Sequence, residues 1–163
     1  MLTDKYRSKH VGLFVRTGQI KKWNKISSIE DLNTSKINIA EVRGYSFGTQ
    51  VDGILHEMGK DRVYLTIKAS QNRLMLIARR FDGYLAYLPD ESIVLNDNDL
   101  DHKIQLHPMK LIYTGGIHFL LSRKSTNQAT LDTINKGLKT IMTNGKYDKI
   151  LNKYTHLYGI SQW

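Results

Sequence analysis

The feature that most constrains the fold is an alternation of strand-like and helical segments between residues 27 and 88. Strand-like runs occupy residues 37–42, 62–67 and 84–88, and amphipathic helical patterns fill residues 47–58 and 70–81 between them. Strands joined across a helix normally pair in parallel through a right-handed crossover. We therefore predict an α/β fold with a mostly parallel sheet and flanking helices.

The remaining chain extends this pattern on both sides. Residues 10–16 form a further predicted strand, and the capping-box spacing from Ser27 to Glu30 predicts a short helix. Ser70 is the predicted cap of the helix over 70–81, and Pro89 is the predicted start of a helical turn. Residues 104–106 and 111–113 are short extended segments, and 117–122 is the last predicted strand. Two amphipathic helices follow over residues 131–141 and 147–154.

The turn after the strand at 37–42 is the candidate binding site. It consists of Arg43, Gly44, Tyr45, Ser46 and Phe47 and leads directly into a helix. The first N–H groups of a helix lack partners and point outward, and the helix dipole adds positive potential there. Gly44 permits a close approach, Ser46 can cap the helix or donate its hydroxyl, and Arg43 adds charge. The turn therefore predicts a seat for a small anionic or zwitterionic solute, although many such turns bind nothing.

Composition excludes several kinds of site. The chain has no Cys, which rules out disulfides, Cys-bound zinc and thiol nucleophiles. Its six His residues show no short metal-ligand spacing, and no nucleophile motif or phosphate-binding loop is present. Residues 97–101 weakly resemble a calcium loop, but His102 and Pro108 stand where that loop needs Gly and Glu. We predict a non-enzyme with no catalytic residues, no metal site and no cofactor.

The net charge of +9 has two readings. Basic residues are scattered along the chain, without the motifs of nucleic-acid-binding folds, so we favour a solvated surface over a nucleic-acid-binding module. No apolar run approaches the roughly 20 residues that a membrane span needs. The first residues also lack the apolar core of a signal peptide.

Six stretches in the same order resemble the bacterial family 3 extracellular solute-binding proteins, the periplasmic amino-acid-binding type of ABC transporters. They are VGLFVRTG at 11–18, SIEDL at 28–32, the strand and turn at 37–48, RFDGYLA at 80–86, GIHFLLSRK at 116–124, and NGKYDKI at 144–150. The resemblance implies a periplasmic-binding-protein-like fold whose two lobes close on a solute. It also implies a periplasmic or extracellular location, while the missing signal peptide leaves a cytoplasmic one open.

The same resemblance divides the chain into three parts. Residues 1–22 correspond to a remnant of lobe 1 and the first crossover strand, and residues 23–113 to an intact lobe 2. Residues 114–163 correspond to the returning crossover strand and the C-terminal helices of lobe 1. Most of lobe 1, including its ligand-gripping Arg, has no counterpart, so we expect impaired binding. The implied function is binding a small polar or anionic solute for an ABC transporter, or alternatively ligand sensing in a signalling receptor.

Two features of the site concern the ligand. Ser46 and Gly44 match the family's turn, whereas Arg43, Tyr45 and Phe47 depart from it. Tyr87 stands where the family carries an Asp that binds the α-amino group, and a phenol cannot neutralise an ammonium group. A standard α-amino acid is therefore in doubt, unless Asp90 or Glu91 substitutes for the missing Asp.

The C-terminal helices raise a question of assembly. In the resembling fold they pack on lobe 1, and their apolar stripes are poorly suited to water. We therefore predict a homo-oligomer, formed either by domain exchange or by face-to-face packing.

Overall fold

A computed structural model describes residues 1–88 and 90–157, except for the side chains of residues 154–157. The chain divides into two compact units. The larger unit is His10–Thr114, and the smaller unit combines Met1–Lys9 with the chain from Gly115 onward. The predicted boundary between residues 22 and 23 falls inside the larger unit. Pro89, the predicted start of a helical turn, and the side chain of Tyr154 lie outside the described residues.

Strands and helices alternate through the larger unit as the sequence predicts. In chain order the elements are β1 (Arg7–Arg16), a 3-10 turn (Ile20–Trp23), α1 (Asp31–Thr34), β2 (Ile39–Val42), α2 (Thr49–Met58), β3 (Val63–Thr66), α3 (Ala69–Ile77), β4 (Gly83–Leu88), α4 (Asp90–Asp97), β5 (Ile104–Leu106), β6 (Ile112–Ile117), α5 (Gln128–Thr143) and α6 (Lys146–Leu157).

The sheet is mixed, with the order β3-β2-β4-β1-β5, and β6 pairs with β1. Strand β2 is parallel to both of its neighbours, β3 and β4. Strand β1 is antiparallel to β4 and β5. The prediction of a mostly parallel sheet therefore holds for the strands joined by α2 and α3, and not for β1. No helical crossover leads from β1 into a neighbouring strand, so the parallel rule does not apply to it.

The central strand β1 of the larger unit is buried on both faces of the sheet. Along β1, Val11, Leu13 and Val15 enter one core, while Phe14 enters the other. The first core includes Phe47 and the apolar face of α2, and the second includes residues of α3 and α4. A central strand buried on both faces reads as a continuous apolar run, which is the pattern of residues 11–15.

The helix starts differ from the predicted caps because other side chains supply the bonds. At α1 the Asp31 carboxylate, rather than Glu30, reaches back and accepts from the N–H groups of Ser27 and Ser28, at 2.8 and 2.9 Å. Helix α3 begins at Ala69, before the predicted cap Ser70. There the Gln71 side chain accepts from the N–H of Ile67 at 2.9 Å. Carboxylate and amide oxygens thus satisfy the orphan donors.

In the smaller unit the first residues lie beside the segment after β6. The N–H of Tyr6 donates to the Ile117 carbonyl at 2.9 Å, and the Tyr6 ring stacks on Phe119 at 4.5 Å. The predicted strand at 117–122 is wrong, because β6 ends at Ile117 and residues 118–122 contribute a single bridge, Leu2 to Leu120. Gly115 and Gly116 lie inside β6 rather than before a strand. A Cβ on Gly116 would come within 2.6 Å of the Lys5 side chain.

Helices α5 and α6 lie where the sequence predicts the two C-terminal helices, although Ile150 of the second predicted stripe is exposed. The Asn127 side chain caps α5 by accepting from the N–H of Thr130 at 3.0 Å, and Gly145 adopts a left-handed φ of 74° before α6. Among the described residues, none of the helices combines the length and apolar content needed to cross a bilayer.

Candidate functional site

The turn between β2 and α2 lies where the sequence predicts it. The N–H of Arg43 donates to the Thr66 carbonyl at 2.8 Å, and that of Tyr45 donates to Val42 at 3.0 Å. Gly44 has a φ of 82° and Gly48 a φ of 96°, which are conformations that favour glycine. Two glycines therefore allow the chain to turn from the end of the strand to the start of the helix.

The helix begins later than predicted. Gly48 is its N-cap and Thr49 its first residue, so Ser46 does not cap it. Instead, the Ser46 hydroxyl donates to Asp52 Oδ2 at 2.6 Å, and the N–H of Phe47 donates to Asp52 Oδ1 at 2.8 Å. A carboxylate from the first turn of α2 thus takes two donors that the sequence assigned to a solute anion. The local pattern of residues could not show this, since Asp52 reads as an ordinary helix-start acid.

Tyr87 at the end of β4 joins the same turn. Its hydroxyl donates to the Ser46 carbonyl at 2.5 Å, and its ring lies 5.2 Å from that of Phe47 at a 57° angle. Phe47 is only 1% exposed and belongs to the core, whereas Tyr45 is 54% exposed. The ends of β2 and β4 are thereby tied together by an aromatic pair and a hydrogen bond.

A cavity of about 220 Å³ opens beside this pair. We call it the β2–β4 cavity, and it is lined by Val42, Tyr45, Phe47, Ala69, Asn72, Arg73, Tyr84, Leu85, Ala86, Tyr87, Asp90, Glu91 and Val94. These residues come from the carboxyl end of β2 and the turn after it, from most of the length of β4, and from the amino-terminal parts of α3 and α4. Ligands of α/β sheets usually bind at such strand ends.

A buried ion pair forms one wall of the cavity. Arg73 donates through Nε and Nη2 to the two carboxylate oxygens of Glu91, at 2.7 and 2.6 Å. The Tyr84 hydroxyl donates to Glu91 Oε1 at 2.5 Å, and Glu91 is only 5% exposed. Burial, and then the Glu91 carboxylate, raise the pKa of Tyr84, so the phenol keeps its proton. The hydrogen bond from Glu91 raises the pKa of Arg73.

The sequence reasoning missed Arg73, which lies on the helical pattern of α3 without any motif around it. The sequence suggests Glu91 only as a substitute for the Asp that the resembling family carries. In the structure its charge is engaged by Arg73, whereas Asp90 is exposed and lines the cavity. An 18-residue separation between Arg73 and Glu91 leaves no local signal of their pairing.

The six predicted site residues divide into two sets. Tyr45, Phe47 and Tyr87 line the β2–β4 cavity. Arg43, Gly44 and Ser46 belong to the turn but are not among the cavity's lining residues, and all three are exposed. The structure therefore brings the three aromatic residues of the predicted site to one cavity. The other three residues lie outside the cavity lining.

A second cleft, of about 520 Å³, lies on the other side of Tyr45. Glu41, Asp52 and His56 are among its lining residues. Burial, and then the nearby Asp52 carboxylate, raise the pKa of Glu41. The carboxyl groups of Glu41 and Asp52 therefore lie in the part of the cleft nearest the turn.

Asp99, Asp101 and His102 form the group of potential metal ligands within the described part of the chain, and all three are exposed. Asp99 and Asp101 belong to the segment 97–101 that weakly resembles a calcium loop. His102 Nδ1 lies 3.6 Å from Asp99 Oδ1, and both side chains are exposed to solvent.

Neither a protein-family model nor a curated protein matches the sequence. Solved structures do match, and they include a binding component of an ABC transporter from Wolinella succinogenes complexed with lysine, at 14% identity and a TM-score of 0.69. That match covers 99% of this chain and 64% of the other.

Two further matches have a similar extent. Substrate-binding domain 2 of GlnP from Lactococcus lactis, in an open conformation, is 21% identical with a TM-score of 0.65, covering 94% of this chain and 61% of that one. An ancestral arginine-binding protein bound to arginine is 22% identical with a TM-score of 0.63. That match covers 93% of this chain and 62% of the other.

The chain therefore has the fold of the family 3 solute-binding domains that its sequence resembles. It spans less than two thirds of the length of these structures. The structures that it resembles are solute-binding proteins rather than enzymes.

Proposed function

We propose that this chain is a solute-binding domain that takes a small polar solute into the β2–β4 cavity and serves an ABC transporter. The observation that carries the proposal is the coincidence of a solute-binding fold with a cavity beside the carboxyl end of β2 and the turn that follows it. In this proposal the solute contacts the predicted residues Tyr45, Phe47 and Tyr87. The location that goes with such a function is periplasmic or extracellular.

The cavity has the features of a small-molecule site. It is concave and bordered mainly by aromatic and aliphatic side chains, with a few polar groups that can orient a ligand. Its volume of about 220 Å³ suits a solute of amino-acid size. The Tyr87–Ser46 bond holds one side in place, and the Arg73–Glu91 pair holds the other. A site with fixed walls loses less free energy in ordering itself around a ligand.

We expect weak binding by this chain. The matching structures are longer, so part of their surface has no counterpart here. A solute held from one side gains fewer contacts than one that is enclosed, and we expect a Kd of about 1 mM, equivalent to about 4 kcal/mol. The turn adds to this weakness, because Asp52 already accepts from Ser46 and Phe47.

Nitrogen-15 NMR titration tests the proposal, because it detects millimolar affinities. The solutes are L-arginine, L-lysine, L-glutamine, L-glutamate, L-asparagine and L-aspartate. We expect at least one of them to shift the amide resonances of residues that line the β2–β4 cavity, saturably. Absence of saturable shifts for the whole panel at concentrations well above the expected Kd would contradict the proposal.

A pair of variants locates the binding site. Tyr45→Ala removes an exposed aromatic wall of the cavity, and we expect it to weaken binding about tenfold. Tyr64→Ala is the matched control, since Tyr64 is a partly exposed tyrosine of β3 that does not line the cavity. Equal loss of binding in both variants would place the site elsewhere.

We also propose that the chain forms a homo-oligomer through the smaller unit. Leu2, Phe119, Leu120 and Ile150 are exposed apolar residues of that unit. Leu2 and Leu120 are partners in a β-bridge, so their exposed side chains belong to one stretch of surface, and such apolar surface often marks an interaction site. The unit is also strongly basic, with ten Lys and Arg residues against three Asp. Since salt screens like charges, association should strengthen as ionic strength rises.

Light scattering tests this part of the proposal. We expect more than one copy at micromolar concentration in 0.5 M salt, and a monomer for Leu120→Lys combined with Ile150→Lys. The control is Leu65→Lys with Leu74→Lys, which changes two exposed leucines of the larger unit. A monomeric wild type under these conditions would contradict it.

A further inference from the structure

The side chains that line the β2–β4 cavity are mostly apolar. Nine of its thirteen lining residues are aliphatic or aromatic, and they come from β2, the turn after it, β4, α3 and α4. An apolar lining is usual for a small-molecule site, so it does not by itself identify the solute. The four polar residues of the lining, Asn72, Arg73, Asp90 and Glu91, therefore decide which groups of a solute the cavity favours.

Two of these polar residues, Arg73 and Glu91, are bound to each other. Arg73 donates to both carboxylate oxygens of Glu91, at 2.7 and 2.6 Å, and the Tyr84 hydroxyl donates to the same carboxylate at 2.5 Å. Glu91 is only 5% exposed. A solute group that separated the pair would leave a buried charge without its partner, which is strongly unfavourable. The ion pair therefore gains little from a polar group of the solute.

The remaining polar side chains of the lining have partners or are accessible to water. Asn72 Oδ1 lies 2.7 Å from the Thr66 hydroxyl, and the Tyr87 hydroxyl donates to the Ser46 carbonyl at 2.5 Å. Asp90 is exposed, so water can solvate its carboxylate. Among the described residues, four buried side-chain nitrogens lack a hydrogen-bond partner, and none of them belongs to a residue of this lining. Within that part of the chain, no buried polar side-chain atom of the lining depends on a solute for its hydrogen bond.

These pairings bear on the free energy of binding. An apolar group that enters the cavity leaves water and contacts aliphatic and aromatic walls, which is favourable in proportion to the area buried. An amide or ammonium group loses its hydration on entry and meets polar side chains that are already paired, which is unfavourable. The cavity reaches the protein surface beside Tyr45, which is 54% exposed. The charged amino and carboxylate groups of an amino acid can therefore stay hydrated while its side chain is buried.

We propose that the β2–β4 cavity binds the aliphatic or aromatic side chain of an amino-acid-like solute, so that the domain prefers apolar side chains to polar ones. That side chain contacts the walls formed by Tyr45, Phe47 and Val94. The solute remains polar at its amino and carboxylate groups. This inference rests on the proposed function of the same cavity and names the class of solute that the cavity takes.

NMR titration of the wild-type chain with two matched pairs of solutes tests the inference. L-leucine and L-asparagine have side chains of the same branched shape, and L-norleucine lacks the terminal ammonium group of L-lysine. We expect the apolar member of each pair to bind about tenfold more tightly. Equal affinity within either pair, or tighter binding of its polar member, would overturn the inference while leaving the proposed function intact. If neither these solutes nor the rest of the panel bind, the proposed function fails and the inference fails with it.

A variant of the lining assigns the preference to this cavity. Val94→Thr keeps the shape of a half-buried side chain of the lining and adds a hydroxyl group. The wall becomes less apolar, so we expect the ratio of leucine affinity to asparagine affinity to fall about threefold. Val63→Thr is the matched control, since Val63 is also half-buried but does not line this cavity. Its ratio should equal that of the wild type.

Thermal unfolding followed by circular dichroism shows whether the variants are folded. If Val94→Thr does not fold, Ala86→Ser replaces it, because Ala86 is another half-buried residue of the lining. The ratio of the two affinities is measured within one chain, so a general loss of stability does not change it. An unchanged ratio in the folded lining variant, or the same fall in Val63→Thr, would overturn the inference.

Discussion

The carboxylate of Asp52 accepts a hydrogen bond from the Ser46 hydroxyl at 2.6 Å, across the turn that leads into α2. The same carboxylate accepts a second hydrogen bond, from the N–H of Phe47 at 2.8 Å. The turn is therefore stabilised from within, by a group that has the chemistry of a bound anion. This arrangement gives the turn a structural role that can be measured separately from binding.

Asp52→Ala should destabilise the larger unit by about 1 kcal/mol, because it removes two hydrogen bonds that order the start of α2. The value is modest since the Ser46 bond is exposed. Urea unfolding measures the change. Asp61→Ala is the matched control, an exposed Asp near the end of α2 for which we expect a change below about 0.5 kcal/mol. Equal effects of the two variants would show that the contact contributes nothing.

Glu91→Gln should destabilise the chain by about 3 kcal/mol, because it leaves the guanidinium of Arg73 without its counter-ion at a largely buried position. Replacing both residues by Met should cost much less, since removing a buried pair together is often close to neutral. Urea unfolding of the wild type, the single variant and the double variant forms the comparison. A double variant no more stable than Glu91→Gln would contradict this account.

Stability should fall at alkaline pH partly through Tyr84. Burial and the Glu91 carboxylate raise the pKa of its phenol above the ordinary value of 10.0. The unfolded chain therefore loses this proton first, and the stability from Tyr84 declines as pH rises above about 10. In Tyr84→Phe the slope of unfolding free energy against pH should be shallower by up to about 1.4 kcal/mol per pH unit.

The control for this prediction is Tyr87→Phe, which removes a phenol in the exposed Tyr87–Ser46 bond. It measures how far the loss of another phenol of β4 changes stability by itself. Urea unfolding at pH 9, 10 and 11 measures all three chains. An unchanged slope in Tyr84→Phe would show that the phenol ionises as readily in the folded chain as in the unfolded one.

Glu41→Gln should stabilise the chain at neutral pH. Burial, and then Asp52, raise the pKa of the Glu41 carboxyl above 4.5. The stability associated with the protonated carboxyl is present below that value and lost as pH rises through the folded-state pKa. The melting temperatures of the two chains should therefore be alike near pH 3.5 and diverge towards pH 7. Melting temperatures that stay alike up to pH 7 would contradict this prediction.

Much of the larger unit could be predicted from local pattern. The strands at residues 39–42, 63–66 and 83–88 and the helix that ends before Gly59 lie within a few residues of their predicted bounds. Apolar periodicity marks these elements because each must bury one face. The predicted strand at 117–122 was wrong because its apolar residues are not buried. Its apolar residues Phe119 and Leu120 are exposed in the smaller unit, so apolar character there does not report a buried strand.

The candidate site was predictable only in part. The sequence placed Tyr45, Phe47 and Tyr87 at strand ends, and the structure brings them to one cavity. It could not identify Arg73, because a single Arg in an amphipathic helix looks like solvated surface. It also assigned Ser46 to a solute, where the structure shows the Asp52 carboxylate.

The sequence by itself determined which segments are strands and helices, where the turn at Gly44 falls, and which family the order of elements resembles. These properties depend on residues close together along the chain, through periodicity, backbone preference and spacing. Only the tertiary structure decided that β1 lies antiparallel between β4 and β5, and that Arg73 meets Glu91 beside the cavity. Partners distant in sequence are chosen by the packing of the whole unit, because many polar groups compete for each bond and only the folded chain selects among them.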